Sequence, residues 1–521
     1  MNGGVTSTSS AAIQPASPAG EPTPGAGAAA ELAAEQAGAL RAAGSGLPAE
    51  WITARDKPIP PALGWRIRGA GRSPLAPKLP RWVGTTAQLA GLYPFVLSAG
   101  TPDFGVPIGV HQITREPVCL DVGEYLRRGL VTNTATYLTG EPGTGKSTIG
   151  RRLMWGLSLF GVGVMVPADL KGEHRLLVEG LGGTCVTLGR GLHRINLLDS
   201  GPLGGVLEEV PAAERARLRQ EIQTRALTLT EGALTISSGR PLNDTERLGL
   251  ALAYELFFRR RPKDTPTLAD LLRILQEAPE EIQAPLHAAD TDESKRMLRP
   301  LLVRLQLILR GPLAGLFEGQ SSFTIDPRTP GACLDLSRLV AGADDAAVAI
   351  AMLAAWGWSS ALIDAGQVTG RRRTWIQFFD EFWRVLRAGS GMVEIGDQAG
   401  RIGRQRGVQA VLASHAVADF LALKSEEDKA KAAGIIARCS TVIVAAQPQS
   451  ELDDLARIVP LTQPEMALIR SWAAPPTWNG ESQHPGRGKY MLKQRERIGM
   501  PIRMLLAGSE RPYHDTDQAW R

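Results

Sequence analysis

Apolar residues along this chain follow two rhythms. Residues 134–138 form a short apolar, β-branched run, and "GVGVMVPADLKGE" and "GGTCVTLG" repeat such runs between helical stretches. Short apolar runs alternating with helices predict a parallel sheet. Around Asp199 the alternation stops. From residue 211 to about 317 apolar side chains recur at helical spacing, with Leu268, Leu271, Leu272 and Leu275 at i, i+3, i+4, i+7. Thr265 and Pro266 supply a cap and first turn before that stripe, and Leu298, Leu301, Leu302 and Leu305 repeat it. Stripes of this kind are core packing, so the segment is expected to be an all-helical insertion without chemistry of its own. The strand rhythm resumes with "GACLDLS", "TWIQFFDEF", "GVQAVLAS" and "STVIVAAQ".

The termini differ from this pattern. Residues 1–45 are Ala, Gly, Pro and Ser with few large apolar groups, a composition that cannot offset its ordering entropy, so a disordered tail is expected. Residues 46–131 carry short runs such as "YPFVL", "GVPIGV" and "PVCLDV" between Gly and Pro, which predicts a small β-rich module. The expected organisation is then 132–200 and 331–521 as two parts of one core, with 201–330 as the helical insertion.

Composition excludes several classes. A chain of 521 residues, 43% hydrophobic and 21% charged, is globular and long enough for two or three domains. Its net charge of +5 is small for that length and argues neither for nor against nucleic acid. Cys119, Cys185, Cys333 and Cys439 lie far apart with no C-x-x-C pair, so neither a structural zinc nor a disulfide framework is expected, and a reducing cytoplasm fits. The start "MNGGVTSTSS" has neither the basic nor the apolar region of a signal peptide. Between Asp345 and Asp364 no residue is charged, enough for ~27 Å of helix. This stretch is mostly alanine, is interrupted by "WGWSS" and precedes a buried strand, so it reads as a core helix rather than a membrane span.

The chemistry centres on "TGEPGTGKST". It fits G-x-x-x-x-G-K-[ST], with Gly140, Gly145, Lys146 and Ser147 at the fixed positions and Glu141, Pro142, Gly143, Thr144 and Thr148 completing the turn. In such a loop backbone N–H groups wrap phosphates, the lysine reaches the outer ones, and the hydroxyl ligates Mg²⁺. The run before it and the helix after it place the anion at a helix N-terminus, where the dipole favours it. The cofactors expected are therefore ATP and Mg²⁺.

"WIQFFDEFW" is an apolar strand ending in Asp380 and Glu381. The first carboxylate can hold Mg²⁺ and the second can polarise the water that attacks a terminal phosphate, whereas in isolation the pair could also be a solvated turn. Downstream, Arg401, Arg404 and Arg406 precede a strand ending in Ser414 and His415. A guanidinium from a neighbouring subunit would stabilise charge on the transferred phosphoryl group, and a polar side chain at the next strand tip could sense that phosphate. Surface arginines and a strand-capping histidine are the alternatives.

The ordered set "GEPGTGKST", "ADLKGEHRLLVEGLGG", "RINLLDS", "GPLAGLFEG", "ACLDLSRL", "FFDEFWRVL", "GRQRGVQAVLASH" and "HDTDQAW" resembles the conjugative type IV secretion ATPases of the TraC/TrbE/CagE class, within the FtsK/HerA-like motor ATPases. The resemblance covers about residue 92 to the end. It implies an α/β, RecA-like P-loop core, a homo-oligomer, hexameric in this group, and ATP hydrolysis at subunit interfaces. The implied role is powering apparatus assembly or substrate transfer at the inner face of the cell membrane, with other envelope proteins as partners and DNA contact possible but indirect. By position it makes Lys146 and Ser147 the phosphate and metal ligands, Asp380 a second metal-site acid, Glu381 the catalytic base and Arg404 the finger. Asp169 and Glu173 fall on the family's second-strand acids, without an assigned role. The family usually has glutamine after the strand that here ends in His415, and a larger N-terminal domain. The rival readings are a DNA translocase of the coupling-protein or HerA/FtsK type, a nucleotide-binding scaffold without turnover, and a small-molecule P-loop kinase.

Overall fold

The computed structural model describes residues 101–340, 344–370, 372–387, 405–421, 425–473 and 484–514, with Gly403 and Leu423. The expectations for residues 1–100, and those for Arg401 and Arg404, lie outside the described residues. In the described part the short apolar runs become one sheet. Its strands are β1 (Val106–His111), β2 (Pro117–Leu120), β3 (Thr136–Thr139), β4 (Gly163–Asp169), β5 (Thr184–Thr187), β6 (Gly331–Asp335), β7 (Trp375–Phe379), β8 (Val408–Ser414), β9 (Thr441–Val444), β10 (Lys489–Lys493) and β11 (Met500–Met504). Their order is β2-β1-β11-β10-β9-β3-β8-β7-β4-β6-β5.

From β9 to β5 every pairing is parallel. The parallel strands are covered on both faces, and β3, β4, β6, β7 and β8 are buried at every position, which is why their sequences read as continuous apolar runs. The other strands form an antiparallel extension in which the β10–β11 hairpin joins β9 to β1. Strands β1 and β2, placed by their sequence in an N-terminal module, thus continue the core's own sheet. The hairpin that receives them lies far along the chain, and local patterning carries no trace of that pairing.

The helices are α1 (Val122–Arg127), α2 (Lys146–Leu159), α3 (Arg175–Gly180), α4 (Ala212–Ser238), α5 (Asp244–Arg260), α6 (Leu268–Glu277), α7 (Thr291–Arg310), α8 (Asp345–Val368), α9 (Glu426–Arg438), α10 (Gln449–Ala456) and α11 (Gln463–Trp472), with shorter turns between them. Helices α4 to α7 fall between β5 and β6 and form the helical insertion. Leu268, Leu271, Leu275, Leu298, Leu301 and Leu305 are buried along its two leucine stripes. Helix α6 starts later than Thr265 and Pro266 suggest. Thr267 is its cap, with Thr267 Oγ1 accepting from the Asp270 N–H while the Asp270 carboxylate accepts from the Thr267 N–H.

Helix α8 is long and apolar enough to cross a membrane, yet 83% of its most apolar window is buried within the protein. It packs on α4 of the insertion and on β4 of the sheet, as expected of a core helix. "WGWSS" does not interrupt it. Gly357 instead lets α4 come close, since a Cβ there would sit 2.3 Å from Leu229 Cδ1.

Candidate nucleotide site

The parallel strands all end on one edge, and in open α/β sheets ligands bind outside the carboxyl ends of the strands. There β3 passes through the glycine-rich loop into α2. The loop is fixed from below: Glu141 N–H donates to Ala446 O (2.9 Å) after β9, and Thr144 Oγ1 donates to Glu141 O (2.7 Å). Gly145 caps α2 with φ 100°, a conformation side chains rarely tolerate, and offers no side-chain cap. The first N–H groups of α2 therefore have neither an intrahelical acceptor nor a capping oxygen. Tyr490 of β10 donates its hydroxyl to Gly145 O (2.7 Å), bracing the turn from the antiparallel extension.

Lys146 is buried, and its ammonium donates to Gly140 O (2.6 Å) and Glu141 O (3.1 Å). Burial lowers its pKa to about 8, against the opposing pull of Asp380 and Glu381. Pro142 and Gly143 are exposed at the loop tip, while Ser147 and Thr148 are half-buried at the start of α2. An uncapped helix start, a buried lysine resting on exchangeable carbonyl contacts and a facing acid pair fit a phosphate chain with its metal.

Two strands away β7 ends in that pair. Asp380 and Glu381 are both buried, and Glu381 has the left-handed φ of 53°. Burial raises the Asp380 carboxyl pKa. Burial also pushes that of Glu381 up, but the His415 hydrogen bond and charge, with Lys171 and Trp383, outweigh it and bring Glu381 to about 2. Both Glu381 oxygens are engaged: Oε1 lies 2.7 Å from His415 Nε2 and 3.1 Å from Lys171 Nζ, and Oε2 accepts from the Trp383 indole N–H at 2.6 Å.

Strand β8 runs between β3 and β7, which puts His415 between the loop and the acids. The sequence leaves His415 either sensing phosphate or capping its strand; here its Nε2 lies against Glu381 Oε1. A residue that sequence reasoning passed over ties the strand tips together. The Gln447 side-chain amide, just past β9, donates to Thr139 Oγ1 (2.8 Å) at the end of β3 and to His415 O (3.0 Å).

The second-strand acids now have partners. Asp169 at the end of β4 accepts from the backbone N–H groups of Lys171 (3.3 Å), Glu173 (3.2 Å) and His174 (2.8 Å), folding "DLKGEH" into a turn around its carboxylate. Glu173 pairs with the buried Arg151 of α2 at 2.5 Å, which fastens this turn to the helix that follows the phosphate loop. Lys171, also unmarked by the sequence reading, projects from the turn toward β7 and pairs with Glu381 at 3.1 Å and Asp380 at 3.8 Å. Its position was written in the same motif as Asp169 and Glu173, but only the sheet order reveals what it faces. Arg406 turns elsewhere, pairing with Asp364 of α8 at 3.2 Å. Cys185 and Cys333, distant in sequence, lie opposite each other on β5 and β6 as free thiols.

No protein-family model matches the chain, and no curated protein matches it in sequence. Its fold is that of a solved structure, VirB4 of Thermoanaerobacter pseudethanolicus, with a TM-score of 0.60 and 18% identity over 80% of this chain and 100% of that one. Looser likenesses are to the bacterial conjugative coupling protein TrwBdeltaN70 (TM-score 0.47, 13% identity, 78% and 90% covered) and to TrwB in complex with ADP and Mg²⁺ (0.45, 13%, 82% and 93%). The described core is a RecA-like P-loop α/β sheet carrying a helical insertion.

Proposed function

We propose that this chain is an ATP-hydrolysing motor of a conjugative type IV secretion machine, working as a homo-oligomer, a hexamer in its active form, peripherally at the cytoplasmic face of the cell membrane. The observation that carries the hydrolytic part is the pair Asp380 and Glu381, buried opposite Lys146 at the ends of the parallel strands. A site that only bound nucleotide would not need a second acid held by three partners. The fold shared with VirB4 supports the secretion role.

In this reading the N–H groups from Gly143 to Thr148 bind the phosphate chain, and Lys146 exchanges its loop carbonyls for the outer phosphate oxygens. Ser147 and Asp380 hold Mg²⁺, which when bound neutralises charge on the outer phosphates. Glu381 orients the attacking water and accepts its proton. His415 and Trp383 hold Glu381 in place, so its direction is set before substrate arrives. Arg404 of an adjacent subunit supplies the finger. Mixing Arg404→Ala with Glu381→Gln protein, each inactive alone, should restore partial activity through interfaces with both native groups. No recovery in verified mixed assemblies would remove the finger from the account.

The distinguishing experiment is steady-state phosphate release by the purified chain with and without duplex DNA. A translocase tracking DNA neutralises several phosphates, and its stimulation falls steeply with salt. A machine driven through protein contacts shows at most weak stimulation. Strong, salt-sensitive activation by duplex DNA would transfer the assignment to a DNA translocase, and the absence of any turnover would leave an ATP-binding scaffold.

A further inference from the structure

Asp380 and Glu381 are neighbours in sequence, and their residues are only 7% and 5% exposed. Two carboxylates brought together away from water do not both stay ionised unless a cation compensates them. Lys146 lies nearby, but its ammonium rests on loop carbonyls. Among the described residues, Lys171 is the side chain ion-paired with both acids, at 3.1 Å from Glu381 Oε1 and 3.8 Å from Asp380 Oδ2.

The approach of Lys171 is built rather than incidental. Asp169 gathers the turn N–H groups of Lys171, Glu173 and His174, Gly172 takes a φ of 70°, and Glu173 locks the turn to α2 through Arg151. Strand β4 pairs with β7, so the turn leaving β4 opens beside the acids. The Lys171 side chain is nonetheless 40% exposed, with solvent on one side into which it can swing.

We propose that Lys171 is a positioning residue that stands in for the divalent cation at the Asp380–Glu381 pair and gives up Asp380 when that cation binds. The inference rests on the ATPase reading of the same site. An ammonium and a divalent cation drawn to one buried carboxylate repel each other, so Lys171 weakens metal binding in exchange for keeping both acids charged and oriented beforehand. Its hold on Glu381, the shorter of the two contacts, persists after it leaves Asp380. A lysine with a merely structural role would not oppose metal binding.

The test is Mn²⁺ binding to the full chain in saturating ADP, read by electron paramagnetic resonance, for wild type, Lys171→Gln, Lys171→Met and Lys171→Arg. ADP affinity without metal and thermal unfolding are measured in parallel. The two neutral variants are expected to bind Mn²⁺ about tenfold more tightly than wild type, because a like charge has been removed from the site. Lys171→Arg, which keeps the charge, should stay within about twofold. Unchanged or weaker Mn²⁺ binding by whichever neutral variant folds as wild type would overturn the inference while leaving the ATPase reading intact. A wild-type chain that binds neither ADP nor Mn²⁺ would overturn both.

Discussion

Glu381 Oε1 lies 2.7 Å from His415 Nε2, so the acid closing β7 is held by the residue closing the neighbouring strand β8. Phosphate loop, acid and histidine thereby occupy adjacent strand tips, and Gln447 closes the row with hydrogen bonds to Thr139 and to the His415 carbonyl. Sheet order alone accounts for this convergence of residues that the sequence sets far apart.

His415→Ala leaves Glu381 with Lys171 and Trp383 as partners and removes the donor that orients its Oε1. Turnover is expected to fall about tenfold or more, with nucleotide affinity unchanged. His415→Gln, whose amide can still donate, should recover most of the loss. Phosphate release and nucleotide titration on the same preparations check this, and an affinity loss equal to the turnover loss would return His415 to phosphate sensing.

The brace on the loop is testable through Tyr490. Tyr490→Phe removes the bond to Gly145 O and should cost about 1 kcal/mol of stability with a few-fold loss of nucleotide affinity. Gly145→Ala should be far worse for binding, because its Cβ would stand 2.6 Å from the Tyr490 hydroxyl in a backbone conformation with φ of 100°. Denaturant melts and nucleotide titration of both variants separate the two effects.

The hairpin carrying Tyr490 is anchored by Glu465, which accepts from Lys493 Nζ at 3.0 Å and from the N–H groups of Thr462 and Gly499. Burial pushes the Glu465 pKa up, but these bonds outweigh it and hold it below the ordinary 4.5. A carboxyl depressed on folding contributes stability that is complete above its unfolded pKa and is lost as pH falls through the folded one. Glu465→Gln should therefore cost about 3 kcal/mol at neutral pH, and the gap to wild type should narrow as the pH drops below about 4. Thermal unfolding across that range reports it. A gap that does not change with pH would place the effect in packing rather than charge.

Much of this was legible in the chain. The glycine loop, the acid-terminated strand and the leucine stripes are local patterns, and each corresponds to the element it predicts. What could not be read depends on which strands are neighbours. Strands β1 and β2 pair with a hairpin at the other end of the chain, Cys185 meets Cys333 only through register, and Lys171 faces Glu381 only because β4 lies beside β7. What His415 faces could not be read for the same reason: a strand-tip histidine gives no hint of whether it lies against a ligand or the next strand's carboxylate.

In the proposed function nucleotide binding and hydrolysis sit on different side chains, Lys146 for the first and Glu381 for the second. The most direct measurement is nucleotide affinity and phosphate release for Lys146→Ala and Glu381→Gln beside wild type. Lys146→Ala should lose tight binding, because the cation and its charge-assisted bonds to the outer phosphates are gone. Glu381→Gln should bind as wild type and turn over about a hundredfold or more slower. Equal loss of affinity in both variants, or undiminished turnover by Glu381→Gln, would contradict the account.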